Sequence, residues 1–322
     1  MEQTYTYGVA RIRALEASLF SDDEMNALLQ CGDFEDCMNF LRSKGWGNGN
    51  TEQSLEEMLQ METSRADKIL HELVEDKEQC EILTISNEFH NLKAAIKKVC
   101  TNQKTQNIYF DNTSLLPEFL EDCIRQGNYN MLPNNMSDAA KEATEILLRT
   151  GDGQLCDIII DKASLEALKS AGEKSENHFI KDYAKLQLLI ADIKIAVRCA
   201  AAGKDSEFAK KALVDCPGLN ITELSQAADS GLEGVTTYLD NIGFGEAVTA
   251  LQKSKSAFEC WCDNRVIDEM KSQKYESFSL GPILAYVLAR KNEIKTVKII
   301  LSGKLNGFDD EFIKERIRKM YV

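Results

Sequence analysis

A helical pattern of apolar and polar positions occurs three times along this chain. The last copy lies within Leu280–Lys304 and contains the segment EIKTV, which begins at Glu293. The equivalent segments are DIKIA, beginning at Asp192, and NLKAA, beginning at Asn91. The spacing is regular, because 293 − 192 and 192 − 91 both equal 101. Each segment has a polar or acidic residue, a large aliphatic residue, a lysine, a variable residue and a small or branched apolar residue. This regularity indicates three copies of one unit of about 100 residues.

The apolar residues around the first two segments follow helical spacing, with steps of 4, 3, 4 and 3. Such steps place five apolar side chains on one face of a helix. The two sets are Ile85, Phe89, Leu92, Ile96 and Val99, and Leu186, Ile190, Ile193, Val197 and Ala200. The third copy departs from the pattern, because Lys291 and Lys298 take two positions while Val287, Ile294 and Leu301 keep three.

The remaining pattern also predicts helices, and we expect an all-α protein with three similar subdomains related by a pseudo-threefold repeat. The predicted boundaries are 1–112, 113–218 and 219–322. Further helices are expected at Tyr7–Phe20, Leu55–Val74, Ser137–Arg149, Ala163–Ala171 and Asp310–Tyr321. The N-cap residues Ser21 and Asp309 mark two helix starts, with Glu24 completing a capping box and Phe308 stapling onto Ile313. Arg316, Arg318 and Lys319 would then lie at the negative end of the last helix dipole.

Two stretches fit this helical scheme less directly. Thr101–Thr113 is polar and predicts a linker between the first two units. The strongest β-like run is Asp157–Asp161, which is short and lies between helical patterns. A second repeat signal, aromatic-Leu-x-x-x-Gly-aromatic-Gly, occurs at Phe40–Gly47 and Tyr238–Gly245 but is missing from the middle unit.

Composition limits the kinds of partner and the cellular location that we expect for this protein. The net charge of −14 argues against partners that need a basic surface, namely nucleic acid and anionic lipid. The start MEQTYTYG predicts no signal peptide. The most apolar stretch, Leu186–Ala202, contains Asp192, Lys194 and Arg198, so we expect no transmembrane helix. The 10 cysteines are scattered, which predicts reduced, mostly buried thiols in a cytoplasmic protein.

Catalytic and ligand motifs are incomplete. The pairs Gly203-Lys204 and Gly303-Lys304 do not continue into a phosphate-binding loop, and Gly45–Gly49 reads as a polar loop. His71 begins HELVE rather than a zinc-protease motif, His178 starts a helix, and His90 is expected to be packed or capped rather than a ligand. Cys260 and Cys262 lack a second pair of metal ligands. We therefore predict no catalytic, cofactor-binding or metal-binding residues, and no cofactor.

Two sets of charged residues recur with the repeat. The acidic pairs Asp157/Asp161 and Glu259/Asp263 each place two carboxylates on one helical face, and a solvated face is the favoured interpretation over a metal or acid/base site. Two interpretations fit the lysines at the third position of each segment: they line a common axis and meet an acidic partner, or they form pairs within their own helices. These are Lys93, Lys194 and Lys295.

Three stretches together resemble one known family. The start YGVARIRALE, from Tyr7 to Glu16, resembles the opening of the C subunit of archaeal and bacterial A/V-type ATPases, the family of the eukaryotic vacuolar d subunit. The segment EFHNLK, from Glu88 to Lys93, is similar to its first-repeat helix. Gly281–Tyr286, the segment around Glu293 and Gly303–Gly307 are similar to its C-terminal signature. The resemblance extends from about Tyr5 to Val322, and the middle unit departs from it in lacking the Gly-aromatic-Gly signal.

The resemblance implies a non-catalytic rotor subunit. Members of that family are all-helical and funnel-shaped, with three subdomains around a pseudo-threefold axis. The implied partners are the central shaft subunits and the membrane proteolipid ring, with no nucleic acid and no small-molecule ligand. A general helical scaffold is the alternative, although its repeats are usually about 34–47 residues long. A helical enzyme is a third possibility and would need a cleft with a perturbed titratable group.

Overall fold

The computed structural model describes residues 5–101 and 108–322. Within these ranges every regular element is helical, so the predicted all-α class is confirmed. The α-helices are α1 Thr6–Glu16, α2 Asp22–Leu29, α3 Phe34–Ser43, α4 Leu55–Leu73, α5 Ile85–Thr101, α6 Pro117–Gln126, α7 Asn134–Thr150, α8 Gly153–Lys174, α9 His178–Ala201, α10 Ser206–Ala212, α11 Ile221–Asp229, α12 Gly231–Asn241, α13 Gly245–Lys253, α14 Lys255–Met270, α15 Gly281–Leu305 and α16 Asp310–Lys314. Short 3₁₀ helices are Trp46–Gly49, Lys77–Leu83, Tyr129–Met131 and Lys271–Tyr275.

The chain divides into two compact units. One unit combines Met1–Lys77 with Gly243–Val322, and the other is Glu78–Ile242. The first unit thus joins the two ends of the chain around α15. The division into 1–112, 113–218 and 219–322 is a division by sequence repeat, and it stays a prediction.

In the unit Glu78–Ile242, the long helices α5 and α9 are surrounded by helices that lie near them in the chain. Helix α5 packs against α6, α7 and α8, and α9 packs against α8, α10, α11 and α12. The predicted apolar face of α5 enters the core through Phe89, Leu92 and Ile96, while Val99 is half-buried. On α9 the residues Ile190 and Ile193 are buried, and the other three predicted positions are half-buried.

In the unit that contains both chain ends, α15 is surrounded by helices from the start of the chain. It packs against α1, α2, α3 and α4. A Cβ atom on Gly8 would lie 2.8 Å from Cδ1 of Ile283, so α1 approaches α15 closely because position 8 has no side chain. Burial of Val287, Ile294 and Leu301 confirms the three apolar positions that the third copy keeps.

Side-chain caps fix many helix starts. The predicted capping box of Ser21 and Glu24 is present at α2. Ser54 and Glu57 form a second capping box at α4, and Ser254 caps α14 by accepting the backbone N–H of Ala257. Pro117 occupies the first turn of α6, where its missing N–H costs nothing. Local sequence therefore determines these boundaries well.

The predicted C-terminal helix Asp310–Tyr321 is wrong in length, because α16 ends at Lys314. Beyond it the chain bonds to side chains of other elements: the Lys319 N–H donates to Asn264 and the Met320 N–H to Asp22. Arg318 accordingly bonds to Asp263 rather than to the end of a helix dipole. The N-cap Asp309 is confirmed, and the ring of Phe308 lies against Phe312, with 4.9 Å between ring centroids.

The helix predicted at Ala163–Ala171 is only the second half of α8. Asp152 caps its first turn, and the β-like run Asp157–Asp161 is helical, with Ile160 buried in the core. Of the predicted linker Thr101–Thr113, residues 102–107 lie outside the described ranges. No helix in those ranges is both long and apolar enough to cross a membrane.

Candidate functional site

The first position of each repeated segment is a buried hydrogen-bond acceptor. Asn91 on α5, Asp192 on α9 and Glu293 on α15 are each at most 1% exposed. A polar group buried in a helical core needs a partner, since leaving it unpaired costs about 1–3 kcal/mol. In all three cases the partner is a backbone N–H from a segment outside the helix. The three side chains therefore have the same structural role, which is to bond a long helix to a neighbouring segment.

On α5, the side chain of Asn91 bonds to the segment that leads into α6. Its Oδ1 accepts the N–H of Phe110 at 2.8 Å, and its Nδ2 donates to the carbonyl of the same residue at 2.9 Å. The amide also donates to Oγ1 of Thr113 at 3.0 Å. An amide group suits this position because it supplies both a donor and an acceptor.

On α9, the carboxylate of Asp192 bonds to the segment between α10 and α11. It accepts the N–H of Val214 at 3.1 Å and lies 3.5 Å from Sγ of Cys216. Burial raises the pKa of Asp192 to about 6, although the bond from Val214 and the charge of Lys162 both oppose the rise. A carboxylate therefore remains ionised here at neutral pH at a cost.

On α15, the carboxylate of Glu293 accepts the N–H of Phe20 at 2.7 Å, and Phe20 belongs to the segment between α1 and α2. Arg290, one turn earlier, forms an ion pair with the same carboxylate. The guanidinium of Arg290 also lies 5.6 Å from the ring centroid of Trp46. Burial raises the pKa of Glu293, and the charge of Arg290 opposes this rise.

Two of the three repeated lysines, Lys93 and Lys295, pair with carboxylates on neighbouring helices. Lys93 on α5 forms an ion pair with Asp161 on α8 at 2.6 Å, and Lys97 forms an ion pair with Asp157 at the same distance. Lys295 on α15 bonds to Asp263 on α14 at 2.5 Å, and Arg318 joins the same carboxylate. The hypothesis of pairs within a helix is therefore wrong for Lys93 and Lys295. Three of the four acidic residues, Asp157, Asp161 and Asp263, thus form ion pairs with lysines of a long helix.

Burial and charge balance decide the state of Asp263. Burial alone would raise its pKa, but the hydrogen bonds and charges of Lys295 and Arg318 outweigh this effect and lower it. The carboxylate of Asp263 thus stays ionised and forms ion pairs with both Lys295 and Arg318.

One buried network has no clear signal in the sequence. The loop predicted at Gly45–Gly49 places Trp46 in the core, stacked on Phe20 at 5.7 Å between centroids. Glu62, which is 1% exposed, accepts the N–H of Gly47 and pairs with Arg65. The sequence shows a turn here through its glycines, but the tryptophan and the distant glutamate that hold it belong to tertiary packing.

Histidine and cysteine residues that are not expected to be ligands make structural contacts. Nε2 of His90 lies 3.0 Å from the carbonyl of Ile108, and its ring packs edge-on against Phe110. All ten cysteines are free and eight are buried, so the expectation that most of the thiols are buried is confirmed. Cys262 is buried, and Cys260 donates to the carbonyl of Ile317. Across the described ranges, no group of three or more His, Cys, Asp and Glu side chains is placed to hold a metal ion.

Comparison with known proteins identifies the class. The sequence matches the family "ATP synthase (C/AC39) subunit" over residues 8–316, and the chain belongs to this family. It is 22% identical to the C subunit of the V-type sodium ATPase of Enterococcus hirae, with 96% of this chain and 97% of that protein aligned. It is 23% identical to the C subunit of the A-type ATP synthase of Methanocaldococcus jannaschii, over 96% and 85% of the two chains. The C subunit of the V-type ATP synthase of Thermus thermophilus is 20% identical over 98% and 99%.

Proposed function

We propose that this chain is the non-catalytic central-rotor subunit of a V/A-type ATPase or ATP synthase, which couples the central shaft to the membrane proteolipid ring. The observation that carries the proposal is the family match over residues 8–316, together with relatives that are C subunits of such enzymes and align over nearly their full length. The chain acts in this proposal as a mechanical part, and other subunits bind nucleotide and carry ions.

The mechanical role makes a demand on the fold. Torque passes without slip only through a stiff body, and close packing with satisfied buried polar groups makes a helical protein stiff. Asn91, Asp192 and Glu293 support this view, because each ties a long helix to a separate segment of backbone. Their equal spacing also supports three subdomains, 1–112, 113–218 and 219–322, arranged around a pseudo-threefold axis as a funnel.

The proposed partners are the shaft subunits at one end and the proteolipid ring at the other. The net charge of −14 supports protein partners over nucleic acid or a bare anionic membrane. The proposed location is the cytoplasmic face of the membrane, where the chain is held through the complex. In this proposal no nucleotide, metal or other small molecule binds the chain itself.

The test is assembly with the organism's own partners. Tagged protein is mixed with the shaft subunits and with the detergent-solubilised proteolipid ring, separately and together, and the products are weighed by native mass spectrometry. We expect a complex with one copy of this chain. A variant that unfolds, such as Leu92→Asp, serves as the control and should assemble with neither partner. A folded wild-type monomer that ignores both partners would instead favour a general helical scaffold.

A further inference from the structure

The first position of the repeated segment has the same structural role on α5, α9 and α15. A different side chain occupies it on each helix. Asn91 is neutral at every pH, whereas Asp192 and Glu293 are acids. All three accept a backbone N–H from the segment that leads into the next short helix, namely Phe110, Val214 and Phe20. The three contacts therefore differ in how they respond to protons, although their geometry is alike.

The charged surroundings of the two acids differ. Glu293 has the guanidinium of Arg290 against its carboxylate. The hydrogen bonds to Asp192 come instead from an amide N–H and a thiol, neither of which carries a positive charge. Asp192 is 0% exposed, so water does not screen its charge.

Two charged groups near Asp192 act on its ionisation in opposite directions. Lys162 on α8 acts on it through charge, and Asp215, in the segment it holds, opposes its ionisation. The charged side chains of α10, α11 and α12 are exposed to solvent. They are Glu207, Lys210, Lys211, Glu223, Asp229, Glu233 and Asp240.

We propose that Asn91, Asp192 and Glu293 are three latches on the long helices, and that the middle latch is a pH-sensitive device that holds the segment Leu213–Leu219 more tightly as the pH falls toward 5. The ionised carboxylate is buried without a directly bonded cation, so the folded segment is destabilised when Asp192 loses its proton. Local opening hydrates the carboxylate and relieves that cost.

The direction of this pH dependence follows from the number of protons that the closed and open states bind. The pKa of Asp192 is raised from 3.8 to about 6 in the folded protein. Between these two values the closed state holds a proton that the open state releases, so closing is favoured more strongly at lower pH. Above the raised value the carboxylate is ionised in both states, and this extra stability is lost.

The test is hydrogen exchange at the Val214 amide, expressed as a protection factor against the unfolded chain at the same pH. In the wild type we expect protection about tenfold greater at pH 5 than at pH 7.5, since one pKa unit corresponds to tenfold. Asp192→Asn should remove this difference and give high protection at both pH values. Asp215→Asn is the control, because it removes a neighbouring exposed carboxylate whose charge contributes least to the raised pKa of Asp192, and it should keep most of the difference.

The first latch supplies the converse test. The wild-type Phe110 amide should show equal protection factors at pH 5 and 7.5, and Asn91→Asp should introduce a pH dependence there. Equal protection of Val214 at both pH values in the wild type would overturn the proposal. So would an Asp192→Asn variant that keeps the dependence, or an Asp215→Asn variant that loses it.

Discussion

Helices α5 and α15 are copies of one sequence pattern in two different settings. Helix α5 packs against α6, α7 and α8, which follow it in the chain. Helix α15 packs against α1 to α4, which come from the opposite end of the chain. The repeat therefore specifies the long helix, while the position of a copy in the chain determines whether its neighbours are local or distant.

The polar groups of the two helices differ accordingly. On α5 the acceptor at the repeated position is the neutral Asn91, and the lysines of that helix pair with partly exposed carboxylates. On α15 the acceptor is Glu293, neutralised by the buried Arg290, and Lys291 pairs with Asp67. A helix surrounded on most sides can carry a charged side chain only where an oppositely charged group pairs with it. The pair with Asp67 therefore explains why Lys291 can replace an apolar residue in the third copy.

The largest expected effect comes from a charge in either core. Leu92 on α5 and Leu301 on α15 are both fully buried, so Leu92→Asp and Leu301→Asp should each cost more than about 4 kcal/mol. Hydrogen exchange should rise in α6–α8 for the first variant and in α2–α4, at the other end of the chain, for the second. Ser86→Asp, on the exposed face of α5, is the control and should leave denaturant unfolding unchanged. An unaltered melt of either leucine variant would remove that residue from the core.

The next effect separates the two helices by their charges. Arg290→Met leaves Glu293 buried without its cation, and such a loss costs about 3–5 kcal/mol. The pKa of Glu293 is already raised by burial, so the variant should recover part of its stability as falling pH protonates that carboxylate. Chemical denaturation of wild type and variant between pH 5 and 8 measures this convergence.

A double variant sharpens the same point. Arg290→Met combined with Glu293→Gln keeps an acceptor for the Phe20 N–H but removes both charges. We expect the pair to be clearly more stable than Arg290→Met alone, because buried ion pairs are often replaceable as a unit. Equal stabilities would mean that the Trp46 contact of Arg290, and not its charge, is what matters.

The sequence predicts the long helices well because periodicity and caps are local signals. The burial of Leu92, Ile193 and Leu301 and the capping box at Ser21 follow from spacing alone. The helices that pack against α15, and the hydrogen bond that buried Glu293 accepts, depend on contacts between residues far apart in the chain. Such contacts leave no local pattern in the sequence. The overlong prediction for α16 has the same cause, since Asp22 and Asn264 take the N–H groups that a longer helix would use.

A smaller effect is expected at two glycines near the ends of long helices: Gly303 lies within the last turn of α15, and Gly203 lies just beyond the end of α9. A Cβ atom on Gly303 would lie 2.6 Å from Cγ1 of Ile313, so Gly303→Val should cost about 1–3 kcal/mol through overpacking. Gly203 has a φ of +61° and no heavy atom within 4 Å of the added Cβ position. Gly203→Asn is the control and should change the unfolding free energy little, since asparagine tolerates this conformation. Similar losses at both positions would contradict the close-packing explanation.

The smallest effects concern two of the repeated lysines, Lys93 and Lys295, each of which pairs with an aspartate on a neighbouring helix of its own unit. Lys93→Met removes a pair with Asp161, whose side chain is 56% exposed, and should cost about 0–1 kcal/mol, less at high salt.

Lys295→Met should also cost little in stability, because Arg318 still pairs with Asp263. Its signature is instead a rise in the pKa of Asp263, which Lys295 and Arg318 lower against the effect of burial. A lowered pKa stabilises the fold above the ordinary value of 3.8, and that contribution disappears as the pH falls through the folded pKa. The carboxyl carbon of Asp263, followed by NMR titration, should therefore protonate at higher pH in Lys295→Met than in wild type, whereas in Lys93→Met its titration should be unchanged. If Lys295→Met leaves that titration where it is, Arg318 alone accounts for the ionisation of Asp263, and Lys295 is a surface contact like Lys93.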